Sequence, residues 1–396
     1  MIELGPLVRL ALLGAVIALA PLAWVWLRHR GAASTHRLRA LTWLTLFLTF
    51  DLVLVGTFTR LTDSGLGCPD WPGCYGHASP LGAAAQIDTA QTALPSGPVT
   101  HGKAWIEMVH RYLASAVGVL IAVIALRSWI DRRGPPPGNP AQLRRGGAPS
   151  PWWATVALLW VCVQGAFGAL TVTLKLYPAI VTAHLLGGLV LLVLLAAQGQ
   201  AFVPRPLSLS PRTVRGAWGL AALVGMQVAL GGWVSTNYAV LACQDFPTCQ
   251  SSWWPAMDFG SGFALQRELG ANAQGGFLPF EALTAIHVSH RLMAFVVLAA
   301  MLWLAWQLIR EGSAPASAAA SRFGRALVLL AAWQLASGLS NVVLGWPLPA
   351  ALAHSGGAAV LAVLLTVLIV RSRQAGILAR STAAVGAEPL HWRAAP

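Results

Sequence analysis

A chain of 396 residues that is 56% hydrophobic and only 10% charged is too apolar for a water-soluble domain, in which about a quarter of residues carry charge. Its net charge of +13 would suit a polyanion. The basic residues sit between apolar runs rather than on one polar face, so nucleic acid is excluded as a partner and the lipid bilayer is the solvent.

Apolar runs of about 20 residues, the length that crosses a bilayer, fall near 7–27, 40–60, 104–126, 152–174, 179–203, 214–238, 281–308, 323–345 and 350–370. The first lacks a basic n-region and is followed by Arg28, Arg30, Arg37 and Arg39, so it reads as a retained helix rather than a cleaved signal. Alternation of nine spans puts the arginine-rich connections 28–39, 127–151, 204–215 and 309–325 on one side, with the tail carrying Arg371, Arg373, Arg380 and Arg393. The long loops 61–103 and 239–280 hold Asp63, Asp70, Asp88, Asp245, Asp258 and Glu268 on the other. The positive-inside rule makes the first set cytoplasmic and the cysteine-bearing loops periplasmic. With no transit peptide, the composition points to a bacterial inner (plasma) membrane. The segment 131–151 reads as a loose connection between helices, and 374–396 as a cytoplasmic tail.

A motif occurs twice. Cys68-Pro-Asp-Trp-Pro-Gly-Cys74 matches Cys243-Gln-Asp-Phe-Pro-Thr-Cys249, an offset of 175 residues (243 − 68). His110 and His290 are 180 apart, His184 and His354 are 170 apart, and Gln164-x3-Gly168 recurs as Gln334-x3-Gly338, again 170 apart. The expected fold class is therefore an all-α integral membrane protein of two tandem four-helix bundles, plus one extra N-terminal transmembrane helix. Both halves start on the same side, so the repeat is parallel, with a pseudo-twofold along the membrane normal. The expected domains are 1–39, the extra helix and a basic loop; 40–203, the N-terminal half; 204–373, the C-terminal half; and 374–396, the tail.

Each half carries one histidine near the start of its second span and one near the start of its fourth. Two imidazoles at one depth on neighbouring helices are what bis-histidine ligation of a haem requires. Gly187-Gly188 and Gly356-Gly357 follow the second histidine of each half and would admit a flat macrocycle or a close helix contact. A zinc or copper ion is the rival, but a third conventional ligand is missing apart from Glu107 or His287. Glu107 stands where the other half has His287, and a carboxylate one turn from a haem ligand can act as a base; its bland role is an ion pair with Arg111 or Arg60. Arg111 and Arg291 suit haem propionates, as a planar guanidinium suits a carboxylate. Disulfides Cys68–Cys74 and Cys243–Cys249 are expected in the loops. Each closes a short ring worth about 2 kcal/mol, as a clamp or as a redox pair. Cys162 is expected in the core. Asp51, mid-span, needs a partner such as Gln164 or a role in proton movement.

The chain resembles the haem A synthase family, in the bacterial form with paired loop cysteines, over roughly residues 40–370. The resemblance lies in Thr59-Arg60-Leu61-Thr62-Asp63-Ser64-Gly65-Leu66-Gly67-Cys68, in Glu107 to Arg111, in the His184 and His354 helices, and in Gly231 to Asn237. It implies an enzyme that oxidises the C8 methyl group of haem O, through an alcohol, to the formyl group of haem A for cytochrome oxidase. His110 and His184 would then hold the substrate haem O, Glu107 would be catalytic, and His290 and His354 would ligate the iron of a lasting haem B. Haem O synthase, an electron acceptor or donor, and a further copy of the chain are the partners it suggests. A di-haem b-type electron-transfer protein is the alternative, although an electron carrier has no need of a carboxylate in place of one histidine. A transporter would break its helices at midplane, and proline is nearly absent from these spans.

Overall fold

The structure, a computed structural model, describes residues 4–132, 149–272, 275–313 and 318–386. Among the described residues it is all-helical, with eleven α-helices and one short 3-10 turn (Ala239–Leu241). Nine helices are long and apolar enough to cross a membrane, so the chain is a multi-pass membrane protein. They are α1 (Leu4–Arg28), α2 (Ser34–Leu61), α4 (His101–Arg132), α5 (Pro151–Thr173), α6 (Pro178–Ala201), α7 (Pro211–Thr236), α9 (Phe280–Glu311), α10 (Ala318–Val343) and α11 (Leu348–Gly386). Two short helices sit in the long loops, α3 (Ala84–Ala93) and α8 (Phe259–Gly262).

Local chemistry sets several boundaries. Pro151, Pro178 and Pro211 open α5, α6 and α7, where a missing N–H costs nothing and the fixed φ already suits the helix. Ser210 caps α7, its hydroxyl oxygen accepting from Thr213 N–H at 3.2 Å. Asp258 caps α8 in the same way through Ser261 N–H at 3.0 Å.

Helices α2, α4, α5 and α6 pack in a ring, each on the next and α6 back on α2; α7, α9, α10 and α11 do the same. Helix α6 also meets α7 and α11, and α11 meets α2. At one end of this seam Arg60 donates to Ser235 O at 2.6 Å and lies over the Tyr238 ring at 4.2 Å. Tyr238 donates to Asp63 Oδ1 at 2.6 Å, which ties the two cysteine-bearing loops to one side of the molecule. An apolar cleft of about 540 Å³ opens further along the seam, lined by Phe50, Leu54, Phe58, Trp333, Gly356 and Val360 among others.

Two expectations change. The last helix does not stop near 370: it runs through Gly386, so 374–386 are helical. Gln374 joins this stretch to the preceding connection, its Oε1 accepting from Arg205 N–H at 3.0 Å. Residues 387–396 lie outside the described residues, as do 133–148 of the segment 131–151, whose start is the last turn of α4. Cys162 is exposed on α5 rather than in the core, because that helix turns one apolar face to the surface, where lipid takes the place of protein.

Helix α1 packs on α4 and α2 by close backbone approach. A Cβ built on Gly14 would stand 2.6 Å from Ser115 Cβ and 2.9 Å from its carbonyl carbon. Gly14→Leu overpacks this crossing and is expected to destabilise the protein by about 1–3 kcal/mol, read as an earlier midpoint in an SDS titration of the protein in mild detergent. Gly5→Leu, at a position with open space around it, should leave the midpoint unchanged.

Candidate functional site

The two long loops are built alike, and each is pinned to the helix that carries the polar motif. Cys68–Cys74 and Cys243–Cys249 are disulfides, with Cα–Cα separations of 4.9 and 4.7 Å. In the first loop Asp70 accepts from the N–H groups of Tyr75 and Gly76 at 2.6 and 2.8 Å. In the second, Asp245 accepts from Gln250 and Ser251 at 2.8 and 2.9 Å and from the Thr248 hydroxyl at 2.5 Å. Gly76 and Ser251 both have φ in the left-handed region, at +74° and +58°. Glycine adopts this freely, whereas serine needs the carboxylate contact to offset the strain.

Arg111 on α4 donates to the carbonyls of Asp70, Pro72 and Gly73. Arg291 on α9 donates to those of Asp245, Thr248 and Cys243 at 2.9 Å each. The structure thus gives both guanidinium groups carbonyl partners in the loops, where the sequence suggested propionates. Glu107 is buried one turn before Arg111. Its Oε1 pairs with Arg111 Nη2 at 2.5 Å, and its Oε2 accepts from Cys68 N–H at 2.7 Å. The ion pair foreseen as the bland role therefore forms, with Arg111 and not Arg60. His287, in the matching place on α9, donates from Nδ1 to Ala239 O at 2.9 Å and also serves the loop.

His110 and His290 lie one turn further into the membrane on α4 and α9, and His184 and His354 lie on α6 and α11. His110 and His184 are within electrostatic reach of each other, as are His290 and His354. Each imidazole presents its Cε1 edge to a glycine of a neighbouring helix. Built Cβ atoms would stand 2.9 Å away at Gly56 for His110, 3.6 Å at Gly168 for His184, 3.0 Å at Gly231 for His290 and 3.2 Å at Gly338 for His354. These four notches were missed in the sequence, although the Gln-x3-Gly repeat holds two of them.

The Gly-Gly pairs do something else. The space at Gly187 is filled by the Gln164 amide and that at Gly357 by the Gln334 amide and Trp333, while Gly188 faces Val53 and Gly356 faces Leu54. These contacts are close packing, one of the two uses weighed from sequence, and Gly356 and Gly357 also line the apolar cleft. Gln164 is thereby committed to Gly187, its Oε1 has no hydrogen-bond partner, and it is not bonded to Asp51. Among the described residues no cluster of three or more histidine, cysteine, aspartate or glutamate side chains could hold a bare metal ion. Two imidazoles per site could hold an iron that a macrocycle already carries.

Residues 39–368 match the family model described as cytochrome oxidase assembly protein, COX15-CtaA. The chain belongs to this family. Relatives named heme A synthase include one from Shewanella oneidensis, 37% identical over 338 residues, covering 83% of this chain and 95% of the relative. Another, from Methylorubrum extorquens, is 32% identical over 372 residues, covering 88% and 90%. A third, from Mesorhizobium japonicum, is 29% identical over 347 residues, covering 83% and 88%. The family match spans both polar motifs and all four histidines and leaves α1 outside.

The two arginine anchors of this family member differ in one respect that stability measurements can read. Arg111→Gln leaves the buried Glu107 without its cation and is expected to cost about 3–5 kcal/mol. Arg291→Gln loses only carbonyl partners and should cost less than half as much in the same unfolding titration; equal costs would mean that the Glu107 pair contributes nothing.

Asp245 gives a pH dependence. Donation from the Thr248 hydroxyl, then from the Ser251 and Gln250 amides, holds its carboxyl below the usual value of 3.8. A depressed folded pKa contributes stability above the unfolded value and loses it as pH falls through the folded one. Exchange protection of the Gln250 and Ser251 amides should therefore persist at neutral pH and fall away only below about pH 3.8. Asp245→Asn should lack it at every pH.

Proposed function

We propose that the protein is a haem A synthase that oxidises the C8 methyl group of haem O, through an alcohol, to a formyl group, in the inner membrane of a bacterium with the cysteine loops periplasmic. The carrying observation is the set of four half-buried histidines in two pairs, each seated in a glycine notch, with a carboxylate beside only one pair. His110 and His184 would hold haem O as substrate, and His290 and His354 would hold the iron of a resident haem B. The donor set fits: His110 and His184 each keep a buried Nδ1 with no partner, and the notches clear space along the imidazole edges. His287, committed to Ala239 O, favours His290 as the ligand.

The proposed architecture is two four-helix halves, 40–203 and 204–373, related by a parallel pseudo-twofold. The two matching helix rings support it. So do two contacts across the seam, Arg60 with Ser235 and Asp63 with Tyr238, each joining positions 175 residues apart. That is the offset of the cysteine motifs, and equivalent positions meet each other only on a twofold axis.

The haem B, when bound, supplies electron-transfer chemistry. The chain's own residues do the rest. The paired imidazoles fix the substrate's plane, the apolar bundle excludes bulk water, and Glu107 receives a proton released as the methyl group is oxidised. The Arg111 guanidinium and the Cys68 amide hold that carboxylate on two sides, so it is positioned before the substrate arrives. Arg111 and Arg291 would meet propionates only with the ends of their fans that the loop carbonyls leave free, and Arg291 Nε, buried without a partner, is one such group. Haem O synthase, an electron acceptor or donor and a further copy of the chain stay as proposed partners.

Protein purified from cells that make haem O should yield haem A or its alcohol precursor on extraction and mass analysis. Glu107→Gln should yield haem O in its place, with conversion reduced at least about 100-fold, the usual loss on removing a general base, and with haem B retained. Haem B alone, in both proteins and whatever the haem O supply, would make this a di-haem electron-transfer protein.

A further inference from the structure

The two histidine pairs share ligands and notches but differ in what stands behind the rings. Ser337 Oγ donates its one proton to Trp333 O at 2.7 Å and lies 3.0 Å from His354 Nδ1. With that proton on Trp333 O the hydroxyl accepts from the imidazole, the arrangement in which the ring proton is on Nδ1 and the Nε2 lone pair is free for iron. Beside His290 lies Gln227, its amide nitrogen 3.2 Å from Nδ1, 3.4 Å from Nε2 and donating to the His290 carbonyl at 3.2 Å, with its Oε1 buried and without a partner. Iron on Nε2 would put a proton on Nδ1, and a turn of the Gln227 amide would bring its oxygen to that proton as acceptor.

In the other half both Nδ1 atoms, of His110 and of His184, are buried with no partner. The notches fix the register: Gly56 corresponds to Gly231 (231 − 56 = 175) and Gly168 to Gly338 (338 − 168 = 170). The same offsets put Leu52 in the place of Gln227 and Phe167 in the place of Ser337. Both polar partners are replaced by hydrocarbon.

We infer that Gln227 and Ser337 are positioning residues that make His290 and His354 lasting iron ligands, and that Leu52 and Phe167 keep His110 and His184 releasable. The inference rests on the haem A synthase reading. A hydrogen bond to the outer N–H of a ligating imidazole fixes the ring and raises its basicity, and removing such a partner weakens metal binding about 10–100-fold. A resident cofactor gains from that grip. A macrocycle that arrives as substrate and leaves as product does not, because ground-state binding beyond what turnover needs adds nothing to rate.

The test uses the full-length protein in detergent. Haem loss to excess apomyoglobin and the midpoint potential of the retained haem are measured for Gln227→Leu and Ser337→Ala. Each substitution should speed haem loss about tenfold and raise the potential, since a less basic imidazole stabilises ferric iron less. Ser337→Thr, which keeps the acceptor, should restore both. In reverse, Leu52→Gln with Phe167→Ser should slow the loss of haem O at least as much. Unchanged rates and potentials in Gln227→Leu and Ser337→Ala would overturn the inference alone, provided that His290→Ala and His354→Ala lose their haem. Retention of haem B by those two alanine variants would overturn the underlying haem reading.

Discussion

The rest of the structure depends on how charged groups at the membrane's edge are satisfied. A guanidinium cannot sit among hydrocarbon without partners, and Arg111 and Arg291 find theirs in the carbonyls of a loop closed by a disulfide. The arrangement works in both directions. The arginine gains acceptors that the helix cannot supply, and the loop gains a fixed place over the helix end. Glu107 and His287 complete the same task with opposite chemistry, one accepting from the Cys68 amide and the other donating to the Ala239 carbonyl. The loops are therefore lids bolted to the helices that bear the histidines.

That explains why the exchange of Glu107 for His287 between the halves matters. A carboxylate needs cationic or N–H partners where an imidazole is content with a carbonyl, so exchanging His287 for Glu107 reorganises the local donors. The arginine that only anchors in one half becomes an ion-pair partner in the other. The carboxylate ends one turn from His110 at little structural cost, since the machinery to hold it already existed.

Much of this was legible in the sequence because hydrocarbon imposes simple rules. Nine spans, the two cysteine bridges and the duplication all follow from length, charge and spacing, and the structure has the spans and the bridges where they were expected. Three things were not legible. The extension of α11 to Gly386 depends on contacts such as Gln374 with Arg205, which no local propensity reports. The loop partners of Arg111 and Arg291 were not foreseen because loop carbonyls carry no sequence signature, whereas a propionate is an obvious mate for arginine. The glycine notches opposite the histidines join residues more than 15 positions apart on different helices, and only packing brings them together.

The glycines and the second polar partners together suggest how one frame serves two uses. The notch is a steric device: it sets how close an imidazole lies to the next helix and is nearly the same at Gly56 and Gly231, at 2.9 and 3.0 Å. The partner on the outer nitrogen is an electronic device and differs between the halves. Geometry has been kept while basicity has been left to vary. Helix packing tolerates a change such as glutamine against leucine, of similar volume, far better than a change in the notch itself. On the proposed reading, a duplicated bundle would in this way hold one macrocycle firmly and handle another in transit without moving its helices.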